Sequence, residues 1–385
     1  MGRLAMDTLR ILALEPYAAV SHQTFLDGLE EYSSHRWTRI ELPGHHWKWR
    51  MRTSSLILAP EIVSRWQEGE QWDLIFASEY LNLAELISLL PVPLKELPTV
   101  TFFHENQLTF PLQGDERRDV HFTLTHVHSI LASRSSWFNS AYHRNQFLQA
   151  LPAVLDQVPG LDTSSVLREV RASSRVMYLG TAVEIGNVPP CRGQIPIVLW
   201  PHRWEYDKDP ELMVDTVLAL REEGLNFRLR LLGPRSSAGQ PGIEKISRAF
   251  GDDLEAPGFL PDRNEYIAAI SGCDIVLSTA RHEFFGIAVL EGLRRGAMPV
   301  LPSDLAYREL LPPGLATPSR YLWERSDGPA ATLKRALSTI EGGSWLEERQ
   351  QIVEGTDRFC WSSLAGAYDE AFSSVVSGEI PASFS

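Results

Sequence analysis

The sequence is poor in cysteine: Cys191, Cys273 and Cys360 are odd in number, far apart, and form no CxxC pair. That excludes a disulfide framework and a thiolate zinc site, and it fits a reducing compartment. Long hydrophobic runs are also missing. No stretch of about 18 apolar residues occurs, and the N-terminus has no basic region leading into an apolar one, so neither a membrane-spanning helix nor a secretory leader is expected. Positive charge is not in excess. Lys and Arg total 36 against 49 Asp and Glu, a net charge of −13, which excludes a general polyanion binder and leaves room for a local basic patch. Short-period repeats and low-complexity segments are absent too. The expectation is a cytoplasmic globular protein, and 385 residues are enough for two ordinary domains with sizeable cores.

Strand-like and helix-like segments alternate along the chain. An apolar strand candidate at 8–14 leads through a turn into an amphipathic helix, Gln23–Glu31. Further strand candidates follow at 73–78, 98–103, 129–132, 137–139 and 175–179. Glycine and proline then punctuate residues 180–194, which marks an interdomain linker. A second series opens at 197–200 and has strands near 227–232, 256–259, 274–278 and 298–302 with helices between them, and a last helix lies around 361–376. Alternation of this kind predicts an α/β protein with parallel sheets covered by helices. Ligands of such sheets sit beyond the carboxyl ends of the strands, so the residues that follow each strand carry the functional signal.

The richest of these segments is 274–293. The strand Asp274–Ser278 runs through Thr279-Ala280-Arg281-His282-Glu283-Phe284-Phe285-Gly286 into a helix that carries Glu291. A helix start of this kind aims N–H groups and a positive dipole end at an anion. Acids beside an anion site suit a ligand with both phosphates and hydroxyls, which describes a nucleotide sugar. Upstream, strand 197–200 ends in Pro201-His202-Arg203-Trp204-Glu205-Tyr206-Asp207-Lys208. Arg203 and Lys208 would neutralise a diphosphate leaving group, or else pair with the neighbouring acids at the surface. Glu283 and Glu291 would accept hydrogen bonds from sugar and ribose hydroxyls, or serve as a helix-start acid and a solvated helix residue.

In the first half, strand 98–103 ends in His104-Glu105-Asn106-Gln107. Four polar side chains in a row at a strand end are costly to bury without partners. His104 would contact a transferring sugar, or be a satisfied core histidine. Asn139 ends another strand and lines the cleft or helps cap the next helix. Residues 45–52, His-His-Trp-Lys-Trp-Arg-Met-Arg, interleave bases and aromatics with no acid. Lys48, Arg50 and Arg52 would contact phosphates while Trp47 or Trp49 stacks on bases; the alternative is a surface loop with cation–π contacts.

Taken together, these motifs resemble the GT-B glycosyltransferases of family 4. They are most similar to the glycosyltransferase-like domain-containing protein 1 group, the tRNA-queuosine mannosyltransferases. The runs that carry this are Trp200–Pro210, Phe103–Gln107, Gly258-Phe259-Leu260-Pro261, Ser278–Gly286 and Trp47–Arg50, and the likeness spans residues 8–375.

The resemblance implies two doubly wound Rossmann-like domains facing across a cleft. An acceptor domain would span 1–180, a linker 181–194 and a nucleotide-sugar domain 195–355, with 356–385 as a C-terminal helix packing back on the first domain. It implies retaining transfer of mannose from GDP-mannose to the cyclopentene-diol of queuosine in tRNA, with no metal and no cofactor beyond the donor, and with no membrane partner. His104, Arg203, Lys208 and Glu283 would be catalytic. Gly258, Phe259, Leu260, His282, Phe284, Phe285, Gly286 and Glu291 would bind the donor. Ser21, His22, Trp47, Lys48, Trp49, Arg50, Arg52, Glu105, Asn106, Gln107 and Asn139 would serve the acceptor. Ala19-Val20 stand where the family's loop after the first strand often has a Gly-Gly pair that approaches the diphosphate. Readings left open are another sugar nucleotide or a small-molecule acceptor, and a non-catalytic binding protein on the same fold.

Overall fold

Short runs of Ile, Leu, Val and Phe with no polar alternation are buried on both faces, which is the pattern of parallel strands covered by helices. In the computed structural model of the chain, the described residues are 8–112, 117–185, 195–234, 239–317, 320–342, 345–379 and 381–384. Most of the expected linker, 186–194, and Cys191 with it, lies outside the described residues. The chain divides into two units, Met1–Gly180 with Trp361–Ser385, and Thr181–Cys360.

The first unit holds β1 (Arg10–Ala18), β2 (Arg36–Pro43), β3 (Leu74–Ser78), β4 (Thr99–Phe103), β5 (Ser135–Phe138) and β6 (Ser174–Val176). They form one parallel sheet in the order β2-β1-β3-β4-β5-β6. The order reverses between β1 and β3, so the topological switch point of this sheet lies beyond their carboxyl ends. The second unit holds β7 (Ile197–Pro201), β8 (Arg228–Leu232), β9 (Leu254–Gly258), β10 (Ile275–Leu277), β11 (Met298–Pro302) and β12 (Leu322–Trp323). Their order is β12-β11-β10-β7-β8-β9, again parallel, with the switch point between β7 and β10.

Three local expectations are corrected. Residues 129–132 are not a strand but the last turn of the helix Val120–Ala132; Phe122, His126, Val127 and Ile130 are buried at helical spacing, and the strand begins at Ser135. Ser21 and His22 lie not in a turn but within the helix Val20–Tyr32, which starts three residues before the expected Gln23. The basic-aromatic stretch is not a loop. After β2 the chain turns at His46, with φ of 58°, and Trp47 opens a helix that runs to Gln67.

The last helix, Trp361–Ser377, belongs to the first unit. Trp361 lies 5.6 Å from Phe25, and Phe372 lies 4.9 Å from Trp137 and 5.5 Å from Phe76, ring to ring. Asp369 accepts from Ser33 Oγ, from the Ser34 backbone and from Ser34 Oγ at 2.6–2.8 Å. Residues 336 positions apart in the chain are thereby locked together.

Candidate functional site

Two polar clusters stand out, one at the switch point of each sheet. In the second unit, the residues after β7 and β10 converge. Lys208 is buried, and its Nζ donates to Glu283 Oε2 at 3.0 Å and to the His282 carbonyl at 2.9 Å, with Asp207 Oδ2 3.1 Å away. Arg203 reaches Asp207 at 2.9 Å and Glu205 at 3.1 Å, with 40% of its side chain exposed. Burial pushes the Glu283 carboxyl up, but the Lys208 charge and hydrogen bond outweigh it and hold the group down at about 2. Burial opposes the Lys208 charge, and Glu283 and Asp207 more than restore it, so its pKa is raised. The result is a fixed ammonium and a fixed carboxylate side by side. Arg203 and Lys208 do pair with acids, as their surface reading required, but Lys208 does so in the interior.

The backbone beneath is specified by Gly286, which precedes the helix Ile287–Arg294 at φ 94°. A Cβ there would come 2.5 Å from the Tyr307 ring. Tyr307 in turn bonds Ser278 Oγ at 2.8 Å, and Ser278 bonds His202 Nε2 at 3.0 Å. Burial, joined by the Lys208 charge, drops the His202 pKa to about 3 and that of His282 to about 4, so both rings are neutral at pH 7. Phe284 and Phe285 are buried, which leaves their backbone rather than their rings for a ligand. Glu291 is buried, pairs with Arg263 and accepts from Thr181 Oγ1 at 3.2 Å. It is therefore not a solvated helix residue. Gly258 ends β9 at φ 78°, and Phe259 beside it is 51% exposed.

In the first unit the cluster is built on a histidine pair. His22 and His104 stack with ring centroids 4.0 Å apart. His22 Nδ1 meets Glu15 Oε2 at 3.0 Å, and Glu15 Oε1 accepts from Ser78 Oγ at 2.9 Å and from the Tyr17 backbone at 2.8 Å. Burial disfavours charge on His22, but Glu15, Glu79 and Glu105 overcome it and raise its pKa to about 9. His104 goes the other way, well below the ordinary value, through burial and then the charge of His22. One ring is cationic and the other neutral. Glu15, His22 and His104 offer ligand atoms within 4.8 Å of one another. Yet His22 Nδ1 is taken by Glu15, and rings stacked at 27° do not aim their in-plane nitrogens at a common point. The set is a hydrogen-bonded ion pair rather than a chelate.

Around this pair, Asn139 is buried. Its Nδ2 donates to the His104 carbonyl at 2.8 Å and its Oδ1 meets His143 Nδ1 at 2.8 Å. It positions the His104 loop rather than capping a helix, a role that falls to Ser140 through the His143 N–H. Asn106 is fully buried and its Oδ1 accepts from the Leu108 and Thr109 backbones, so it shapes the turn. Glu105 takes Tyr80 Oη at 2.5 Å and Gln107 Nε2 at 2.9 Å, and its N–H donates to Glu79 Oε1 at 2.9 Å. Ser21 is exposed. Trp49 is 66% exposed, Lys48 lies over the Trp47 ring, and Arg52 pairs with Asp119 at 2.6 Å and covers Phe122. Sequence reasoning missed Glu15, Glu79, Tyr80, Arg263 and Tyr307. Glu79-Tyr80 follow β3 as His104-Glu105 follow β4, so the strand-end rule would have found them.

Among the described residues no helix is long and apolar enough to cross a membrane. Residues 10–181 match the model of the tRNA-queuosine alpha-mannosyltransferase N-terminal family. A Drosophila melanogaster tRNA-queuosine alpha-mannosyltransferase is 34% identical over 382 residues, covering 96% of this chain and 98% of that one. A Mycobacterium tuberculosis GDP-mannose-dependent alpha-(1-6)-phosphatidylinositol dimannoside mannosyltransferase is 28% identical over 109 residues, 28% of each chain. Among solved structures, the catalytic domain of starch synthase IV from Arabidopsis thaliana superposes with a TM-score of 0.72 at 13% identity, covering 96% of this chain and 100% of that one. That last likeness speaks for the fold, GT-B, with its two parallel α/β sheets. The full-length match decides the family: this chain is a glycosyltransferase and belongs to the tRNA-queuosine alpha-mannosyltransferases.

Proposed function

We propose that this enzyme transfers mannose from GDP-mannose, with retention at the anomeric carbon and without a metal ion, to the cyclopentene-diol of queuosine in a cytoplasmic tRNA. The observation that carries the donor assignment is the ion pair of buried Lys208 with half-buried Glu283 beside the start of the Ile287–Arg294 helix. A diphosphate needs fixed positive charge as its bond to the sugar breaks; Lys208, Arg203 and the N–H groups after Gly286 offer it without an ion. Glu283, ionised at every physiological pH, accepts from sugar hydroxyls. Glu291 is directed to the ribose, which requires Arg263 to share or yield it. Phe259 and the backbone of Gly258 and Leu260 are offered to the base. The C1–oxygen bond to the diphosphate breaks, the bond from C1 to the acceptor oxygen forms, and the acceptor proton passes to the departing phosphate oxygen.

On the first unit, His104, Glu105 and Gln107 are assigned to the sugar and the acceptor, and the Trp47–Arg52 start of the Trp47–Gln67 helix to the tRNA backbone and bases. The family membership supports this acceptor, and the GDP-mannose dependence of the mycobacterial relative supports that donor. The test is direct. The protein is incubated with queuosine-containing tRNA and, separately, GDP-mannose, GDP-fucose, UDP-glucose or UDP-galactose, and the digested nucleosides are weighed. A hexose on queuosine from GDP-mannose alone is expected. Transfer from a UDP-sugar instead, or no transfer from any donor, overturns the reading.

A further inference from the structure

Glu79 is one of the least explained groups in the molecule. It follows β3 directly, at the switch point of the first sheet, and is 1% exposed. One carboxyl oxygen accepts the Glu105 N–H; the other has no hydrogen-bond partner among the described residues. A buried acid left half-satisfied is costly to keep, and the mechanism above makes no use of it. Three further groups face it: Glu15 from β1, Glu105 from the loop after β4, and the His22 imidazolium from the Val20–Tyr32 helix. Glu105 itself is half-buried, with one oxygen already held by Tyr80 and Gln107. Three acids thus surround one histidinium: the cluster carries a net charge of −2 with all three ionised, and −1 when Glu79 holds a proton. A site of this kind is complementary to an incoming cation.

Resting on the acceptor proposed above, we propose that Glu79 and Glu105 recognise the secondary ammonium that joins the cyclopentene-diol of queuosine to its deazaguanine. Glu105, at the edge, touches the ammonium. Glu79, behind it, is a positioning residue that supplies the second negative charge when it ionises, and its proton leaves to solvent. Burial, and then the charges of Glu15 and Glu105 against that of His22, raise the free Glu79 carboxyl to about 8. The bound cation lowers it again. Linkage then sets the sign: below that value each binding event must expel a proton, so acceptor affinity rises with pH by up to about tenfold per unit and levels off near pH 8. The amine selects queuosine over unmodified guanosine by charge as well as by its diol.

The test is steady-state kinetics of the full chain with queuosine-containing tRNA from pH 6 to 8.5. Wild type should show an acceptor KM that falls with pH, and a donor KM that does not. Glu79→Gln keeps the acceptor for the Glu105 N–H; it should raise the acceptor KM about tenfold at pH 8, flatten its pH dependence, and leave the donor KM unchanged. A merely structural loss would move kcat, both KM values and thermal stability together. If Glu79→Gln keeps the wild-type acceptor KM and slope, the inference is wrong. Should that variant fail to fold, Glu105→Gln and the wild-type slope decide: a flat wild-type profile refutes the role of Glu79. Absence of any transfer to queuosine by wild type refutes the proposed function itself, and this inference with it.

Discussion

At the scale of single residues, charge state is the product of neighbours. Two histidines with the same ordinary pKa stack in the first unit, and Glu15 makes one a cation while burial keeps the other neutral. Glu15→Gln should therefore discharge His22. Because the His22 pKa is raised in the fold to about 9 from an unfolded value near 6.5, its contribution to stability is complete below the unfolded value and is lost as pH rises through 9. Thermal unfolding of wild type should thus weaken between about pH 7 and 9, and Glu15→Gln should lose the part of that slope above pH 8, where Glu79, raised to about 8, no longer contributes. A variant that keeps that part of the slope would locate the titration elsewhere. Glu283 has the opposite sign. Its folded pKa of about 2 lies below the unfolded 4.5, so its stabilisation is present above the unfolded value and is lost as pH falls towards 2. Lys208→Ala leaves that half-buried carboxylate without its partner; loss of transfer by at least about 100-fold is expected, since fixed charge at a leaving group is worth several kcal/mol.

At the scale of elements, two features set where chemistry-bearing groups point. Gly286 is one. Its positive φ and the Tyr307 ring 2.5 Å from any added Cβ make Gly286→Ala both strained and overpacked. A cost of about 2–4 kcal/mol is expected, read as a lower Tm together with lost donor binding; an unchanged Tm would show that the turn relaxes freely. The Trp47–Gln67 helix is the other. Its first turn has no acid, and its first two turns carry the exposed Lys48, Trp49 and Arg52 and the half-buried Arg50. Replacing the three cations by Ala should lower tRNA affinity and reduce the slope of log K against log salt by about 2–3, one per lost phosphate contact. Equal slopes would remove this helix from the tRNA interface.

At the scale of the whole chain, the C-terminal helix completes the first unit. Cβ atoms at Gly28 or Gly180 would overlap the Trp361 indole, so both glycines exist to admit it. Trp361→Ala opens a cavity and should cost about 3–5 kcal/mol. A chain ending before Trp361 should lose cooperative unfolding of the first unit, as seen by calorimetry, because Trp37, Phe76 and Trp137 then face solvent. The second sheet, whose strands all come from 181–360, should keep its transition.

How legible was all this in the residues alone? Parallel strands, their apolar runs and the polar groups that follow them were readable, because a doubly buried strand must be apolar and its carboxyl end must be where ligands sit. That logic reached Lys208, Glu283 and His104 directly. It misplaced 129–132, because Ile130-Leu131 is apolar in either period and only the burial of Phe122, His126 and Val127 on one helical face decides. It took Asn106 and Asn139 for ligand groups, although both are buried in bonds to the loop and to His143. Local sequence determined which residues could bear charge at strand ends. Which of them are charged was decided by packing: Glu15, 89 positions before His104, controls its stacked neighbour His22, and burial beside two other acids holds the proton on Glu79. Such couplings depend on distance and desolvation across strands that pair out of sequence order, and neither quantity is written in a linear chain.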